Sequence, residues 1–473
     1  MTNTTILKAF FNNALIIITL LVLILLPRPA AGYLDIGQAR QFDAVGNYPA
    51  AAAAYVAAAE RLPWQPSLWE KAGDAYLNGK DYTHAKYAYE VAVDRQALSP
   101  HGYMDWGDAV FALGNPGAAV DLWNEQMTKG VSPSTLLPRI AHGYQDLRLY
   151  TDEINAWQKY LVYRPDDAAA HYRLGLLLAT SAPAEALPEL MQAVRLDPAL
   201  DTSVESLRSA LNTALLSDDR AYQFVVSGRA LGAAGNWDLA EQAFRNAIAV
   251  QADYAEAWAW LGEAKQQLGQ DGLVEIGRAI AFDPNSAMVE SLYSLYLQRQ
   301  KQPKQALAAM QKAAALEPEN PGWQMALGEA FEQTGDLVSA LAYYQNATVL
   351  SPNEAAFWRA LAEFSLRNNL DLAGIGLPAA RRLVELSNSD WRSDDIAGQI
   401  LLETDNLVGA EMLLKKAIEL DPTQAAPYLH LGLLYMQSGD RTAAFAYLKQ
   451  AKAFDQDSPI GWQASRLLEK YFP

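Results

Sequence analysis

The chain has 473 residues, is 51% hydrophobic, contains no cysteine and carries a net charge of −17. The missing cysteines exclude disulfides, thiolate zinc sites and cysteine nucleophiles. The acidic balance, with no basic stripe, argues against nucleic acid as the partner. Length alone would call for about three domains, but internal repetition overrides that expectation, because a repeat array grows by addition.

The first 32 residues stand apart. Lys8 precedes an apolar run over 14–26 with Thr19 its one polar residue, followed by Pro27-Arg28-Pro29-Ala30-Ala31-Gly32. One charge, a short apolar stretch and small residues read as a secretory signal peptide. The alternative is an uncleaved membrane anchor over residues 9–26, near the lower length limit for a spanning helix. Either reading places the rest of the chain outside the cytoplasm, secreted, in the cell envelope or tethered to a membrane.

From residue 33 the chain is written in units of about 34 residues, most legible over 318–352. Leu327, Gly328 and Phe331 share one face of a first helix; Ala340, Tyr344 and Ala347 share one face of a second. Gly328, Ala340 and Ala347 let two backbones approach, and Phe331 and Tyr344 fill the volume beside them. So short a pair cannot bury its apolar face alone and must stack on copies of itself. The copies follow in order: Gly73, Gly107 and Ala141 are 34 apart, as are Gly398 and Gly432, and as are Pro284, Pro318 and Pro352. The prolines are expected to stop one pair and start the next.

A first array of about five repeats fills 33–198, its first copy degenerate and alanine-rich. Over 199–220 the register breaks. Leu207, Leu211 and Ala214 predict one extra helix there, either a worn half-repeat or a joint between arrays. A second array of about seven repeats fills 221–456, loosest at 353–389, where Gly374-Ile375-Gly376-Leu377-Pro378 predicts a flexible insertion between helices. Residues 457–473 form a capping helix with a solvated face.

The pattern of Trp69, Gly73, Tyr76, Ala85, Tyr89 and Ala92 resembles the tetratricopeptide repeat family. Trp258, Leu261, Gly262, Ala279 and Pro284 repeat it, as do Tyr428, Leu431, Gly432, Tyr435, Ala444, Leu448 and Ala451. The resemblance implies an all-α, right-handed α-solenoid of about twelve helix pairs. It also implies a protein or peptide partner held along a concave face of first helices.

No catalytic signature emerges, and neither an enzyme, a cofactor nor a metal site is expected. The glycines at 374 and 376 lack the strand a dinucleotide loop needs. The five histidines are scattered, and most tryptophans fall on core positions. The residue after the repeat glycine would line the groove. It reads Asp74, Asp108, His142, Leu176, Arg229, Glu263, Leu295, Glu329, Glu363, Gln399 and Leu433 in successive repeats. The lysine and asparagine with which family members clamp a peptide carboxylate do not occur there. Asp74, Asp108, Glu263, Glu329 and Glu363 are the candidate binding residues and predict a basic or neutral segment. The alternative is that they are solvated surface.

Overall fold

The structure, a computed structural model, describes residues 27–387 and 389–472. These hold 26 α-helices, one 3-10 turn, one π-helical turn and no strand. The expected signal or anchor run over 14–26 lies outside the described residues. No described helix is long and apolar enough to cross a membrane.

Two compact units divide the chain, one ending at Ala243 and one beginning at Phe244. In the first, α1 (Pro27–Ala44) pairs with α2 (Tyr48–Arg61), α3 (Leu68–Asn78) with α4 (Tyr82–Asp94), and α5 (Pro100–Ala112) with α6 (Pro116–Thr128). Next, α7 (Pro133–Asp146) pairs with α8 (Tyr150–Tyr163) and α9 (Ala168–Ser181) with α10 (Pro183–Leu196). Then come α11 (Asp201–Ala214), α12 (Arg220–Ala233) and α13 (Trp237–Val250), within which the division between the units falls. The register-breaking stretch is α11, which buries Val204, Leu207, Leu211 and Ala214 and packs on α10 and α12.

The second unit pairs α14 (Ala255–Gln267) with α15 (Leu273–Phe282), α16 (Ala287–Arg299) with α17 (Pro303–Leu316), and α18 (Pro321–Thr334) with α19 (Leu337–Leu350). It continues with α20 (Ala355–Arg367) and α21 (Leu377–Leu386), α22 (Trp391–Glu403) and α23 (Leu407–Leu420), and α24 (Ala425–Ser438) and α25 (Arg441–Phe454). It closes with α26 (Pro459–Tyr471), which buries only Gly461 and Ala464 and leaves Trp462 exposed.

Two local rules set the punctuation. Asp197, Asp283, Glu317, Ser351 and Asp421 each precede a proline and lie outside the helical region, with φ between −133° and −145°. Proline's ring disfavours the helical region for its predecessor, so the helix ends there. Except for Pro198, which opens the 3-10 turn, these prolines occupy the connecting turn rather than the first turn of the next helix, where they were expected. Within most pairs the first helix ends on a left-handed residue; α9, which ends at Ala182 with φ −144°, does not. Gly46, Lys80, Gly114 and Arg148 follow at 34-residue intervals, as do Gly335 and Asn369.

Close approach explains the repeat glycines. A Cβ on Gly107 would lie 2.3 Å from Nε1 of Trp123, which is 2% exposed and donates to the Met104 carbonyl at 3.1 Å. At Gly328 the same role is milder, 3.2 Å from the ring of buried Tyr344.

Two segments differ from the sequence reading. Residues 27–32, read from the sequence as the end of the leader, form the start of α1, and a Cβ on buried Gly32 would meet Leu62 at 2.7 Å. The stretch around Gly374 is a π-helical turn, Leu372–Gly376, rather than a loose insertion. Asp371, at φ +40°, takes the Gly374 N–H on its carboxylate at 2.9 Å, and its carbonyl takes the Ile375 N–H at 2.8 Å.

Candidate functional site

The five predicted carboxylates do lie on first helices, but most are already engaged. Asp74 on α3 accepts the Tyr89 hydroxyl at 2.9 Å. Asp108 on α5 is held by Arg139 on α7, with Nε at 2.8 Å and Nη2 at 3.0 Å. Glu263 on α14 is 3% exposed; it takes the Arg299 guanidinium at 2.5 and 2.7 Å and the Gln267 amide at 2.8 Å. Glu363 on α20 lies 3.5 Å from Arg367. Glu329 on α18 alone makes no side-chain hydrogen bond among the described residues. It is open to solvent on one side, and the protein around it raises its pKa by desolvation, with Glu332 adding and Arg367 opposing.

The cross-links run between repeats. Arg139 and Arg299 each reach back to the preceding first helix, and His430 on α24 reaches Asp395 on α22 at 2.7 Å. Burial works to raise the Glu332 pKa, but bonds from Arg367, Asn368 and Tyr344 hold it low. The carboxylate series is therefore largely an internal staple. Sequence reasoning missed the basic partners; for Asp108 and Glu263 the signal was an arginine about one repeat downstream.

In the first unit, Asp105 joins the predicted pair. Burial pushes its pKa up to about 6; His101 and Arg139 oppose this, while Asp74 and Asp108 add to it. Its carboxylate lies 3.4 Å from Nε2 of His101. Asp74 is also raised, chiefly by burial, against the Tyr89 hydrogen bond. Asp74 and Asp108 thus meet through a residue that the sequence reading did not single out.

In the same unit, α7, α8 and α9 frame a pocket of about 350 Å³. Pro138, His142 and Gln145 line it from α7, Trp157 and Tyr160 from α8, and Arg173 from α9. Its base is a buried network: Glu153, with no exposure, takes Arg173 at 2.8 and 3.1 Å and the Trp157 indole N–H at 3.2 Å. Arg173 is thereby neutralised. The His142 ring stands edge-on to Trp157 at 5.5 Å, and neither the His142 nor the Gln145 side chain makes a hydrogen bond among the described residues. In the second unit a pocket of about 400 Å³ lies at Arg367, Asn369, Gln399 and Glu403. No group of three or more His, Asp or Glu among the described residues is placed to hold a metal.

Stacked helix pairs with a lined first-helix face define a helical-repeat scaffold. Family profiles described as tetratricopeptide repeat match residues 36–100, 139–201, 226–270 and 294–355, and another matches 401–468. The chain belongs to the tetratricopeptide repeat family. Among solved structures it is similar to Cut9 with Hcn1 from the APC/C hetero-tetramer, at 14% identity over 95% of this chain and 99% of that one, TM-score 0.42. It is similar to yeast Tom70 at 15% identity over 93% and 95%, TM-score 0.40. YrrB, described as a TPR protein with an unusual peptide-binding site, is 20% identical over 41% of this chain and 98% of its own, TM-score 0.33. No curated protein matches the chain.

Proposed function

We propose that the chain is a non-catalytic scaffold that holds an extended protein segment against first helices of the unit ending at Ala243. The observation that carries this reading is the pocket between α7 and α9, where His142 and Gln145 have unused hydrogen-bonding capacity above an aromatic wall. A peptide side chain would enter the pocket, and its backbone would meet the polar rim. Asp105, Asp74 and the net charge favour a neutral or basic segment. The test is affinity capture with the full chain and with Ala169→Trp, which fills the pocket from an exposed position. A partner held by the first and lost by the second supports the reading; equal retention rejects it.

The location outside the cytoplasm rests on the apolar run over 14–26. A membrane-tethered assembly factor is the second reading, favoured by the packing of Gly32 on Leu62, which cleavage before Tyr33 would remove. N-terminal sequencing of the mature protein separates the two. A start near Tyr33 supports export, and an intact N-terminus in the membrane fraction supports the tether.

A further inference from the structure

We infer that the unit ending at Ala243 carries a second site, on another face of α7, that binds an α-amino acid with an apolar side chain. A pocket of about 330 Å³ opens there between α6 and α8. Its floor is apolar and buried: Leu137 and Ile140 from α7 and Ala156 from α8 are 2–4% exposed. Asn124 and Met127 line it from α6, Tyr144 from α7, and Asp152, Asn155 and Lys159 from α8, so its other lining is polar except for Met127.

None of these five polar side chains makes a hydrogen bond or ion pair among the described residues. That is unusual for this part of the chain. Lys129, Arg139, Arg148, Arg164 and Arg173 each have a carboxylate within 3.4 Å. Lys159 is the one lysine or arginine between 116 and 181 without one among the described residues. Asp152, Asn155 and Lys159 share one face of α8 at i, i+3 and i+7. Two helical turns separate the two charges, about 10 Å along the axis.

This spacing suits a zwitterion. An ammonium and a carboxylate about 3 Å apart, with a hydrogen bond of about 2.8 Å at each end, span about 8–9 Å. Asp152 would take the ammonium and Lys159 the carboxylate. The carboxamides of Asn155 and Asn124 and the Tyr144 hydroxyl would satisfy the remaining donors and acceptors. The ligand's side chain would cover the Leu137–Ile140 floor. A cation alone would face Lys159, an anion alone would face Asp152, and a neutral ligand would strip water from both without replacing it. The volume is that of a small ligand, at the lower end of the range of about 300–1,000 Å³ for such pockets.

The test is calorimetric titration and thermal shift of the full chain with L-leucine, L-methionine and L-phenylalanine. Leucinamide lacks the carboxylate, N-acetyl-leucine lacks the ammonium and glycine lacks the side chain. Saturable binding of one of the three amino acids is expected, weakened at least about tenfold by removing any of these features. Asp152→Asn and Lys159→Met, both at exposed positions, should weaken it similarly while leaving the melting temperature of the free protein unchanged. No saturable binding up to about 10 mM, which sets an affinity floor, overturns the inference. So does equal binding of doubly blocked N-acetyl-leucinamide, or full affinity in both variants. None of these outcomes bears on the groove pocket.

Discussion

Arg139 reaches back one repeat to Asp108 and holds it at both oxygens, Nε at 2.8 Å from one and Nη2 at 3.0 Å from the other. Both side chains are about one-third exposed, so solvent screens the pair, but its two-point geometry is the favourable kind. Asp108→Asn and Arg139→Met should each destabilise the first unit, with a coupling of about 1 kcal/mol in a double-mutant cycle. The coupling should shrink at high salt.

Asp105 should give the first unit a pH signature. Its folded pKa of about 6 lies above the ordinary aspartate value. The folded state therefore binds the proton more tightly. That contribution is fully present below about pH 4 and is lost as pH rises through about 6. Asp105→Asn should be more stable than the parent at pH 7, by about 1–3 kcal/mol, and lose this advantage towards pH 4. Denaturant melts at both pH values check the sign.

Lys80 and Lys301 sit at left-handed φ values of 60° and 58°, where other repeats use glycine. The left-handed region costs an L-residue about 1–2 kcal/mol, and glycine returns part of this as chain entropy. Lys80→Gly and Lys301→Gly should each stabilise by about 0.5–1 kcal/mol. Thermal unfolding measures this directly.

Glycines within helices should divide by their surroundings. Gly107→Ala drives a methyl into the buried Trp123 indole and should cost about 1–3 kcal/mol. Gly37 lies in α1, where an added Cβ would meet nothing within 4 Å beyond its own helix, so Gly37→Ala should stabilise by about 0.5–1 kcal/mol. Melting the two variants side by side tests whether backbone approach sets the repeat glycines.

The helix pairs were legible in the sequence because their punctuation recurs at a fixed spacing. Glycine before Tyr89, Trp123 or Leu448 and proline after Asp283 or Asp421 act through local sterics. The start of α1 was not legible, because Pro27 to Gly32 reads equally well as a cleavage region and only contact with Leu62 places it in a helix. The π-helical turn depends on Asp371 adopting a left-handed φ, which no propensity announces. At the candidate site the acids were visible but their partners were not. Arg139 follows Asp108 by 31 residues and Arg299 follows Glu263 by 36, so no single offset reveals the pairing. Asp105 was missed because its pKa comes from packing rather than from its place in the repeat.

The central claim is that partner binding lies in the pocket between α7 and α9 and that the paired carboxylates are structural. Hydrogen-exchange footprinting of the full chain with a captured partner tests it most directly. The account predicts new protection over α7 and α9, lost in Ala169→Trp and retained in Asp108→Asn and Glu263→Gln under conditions where those variants remain folded. Protection that leaves α7 and α9 unchanged, or that follows Asp108 and Glu263 instead of Ala169, would contradict it.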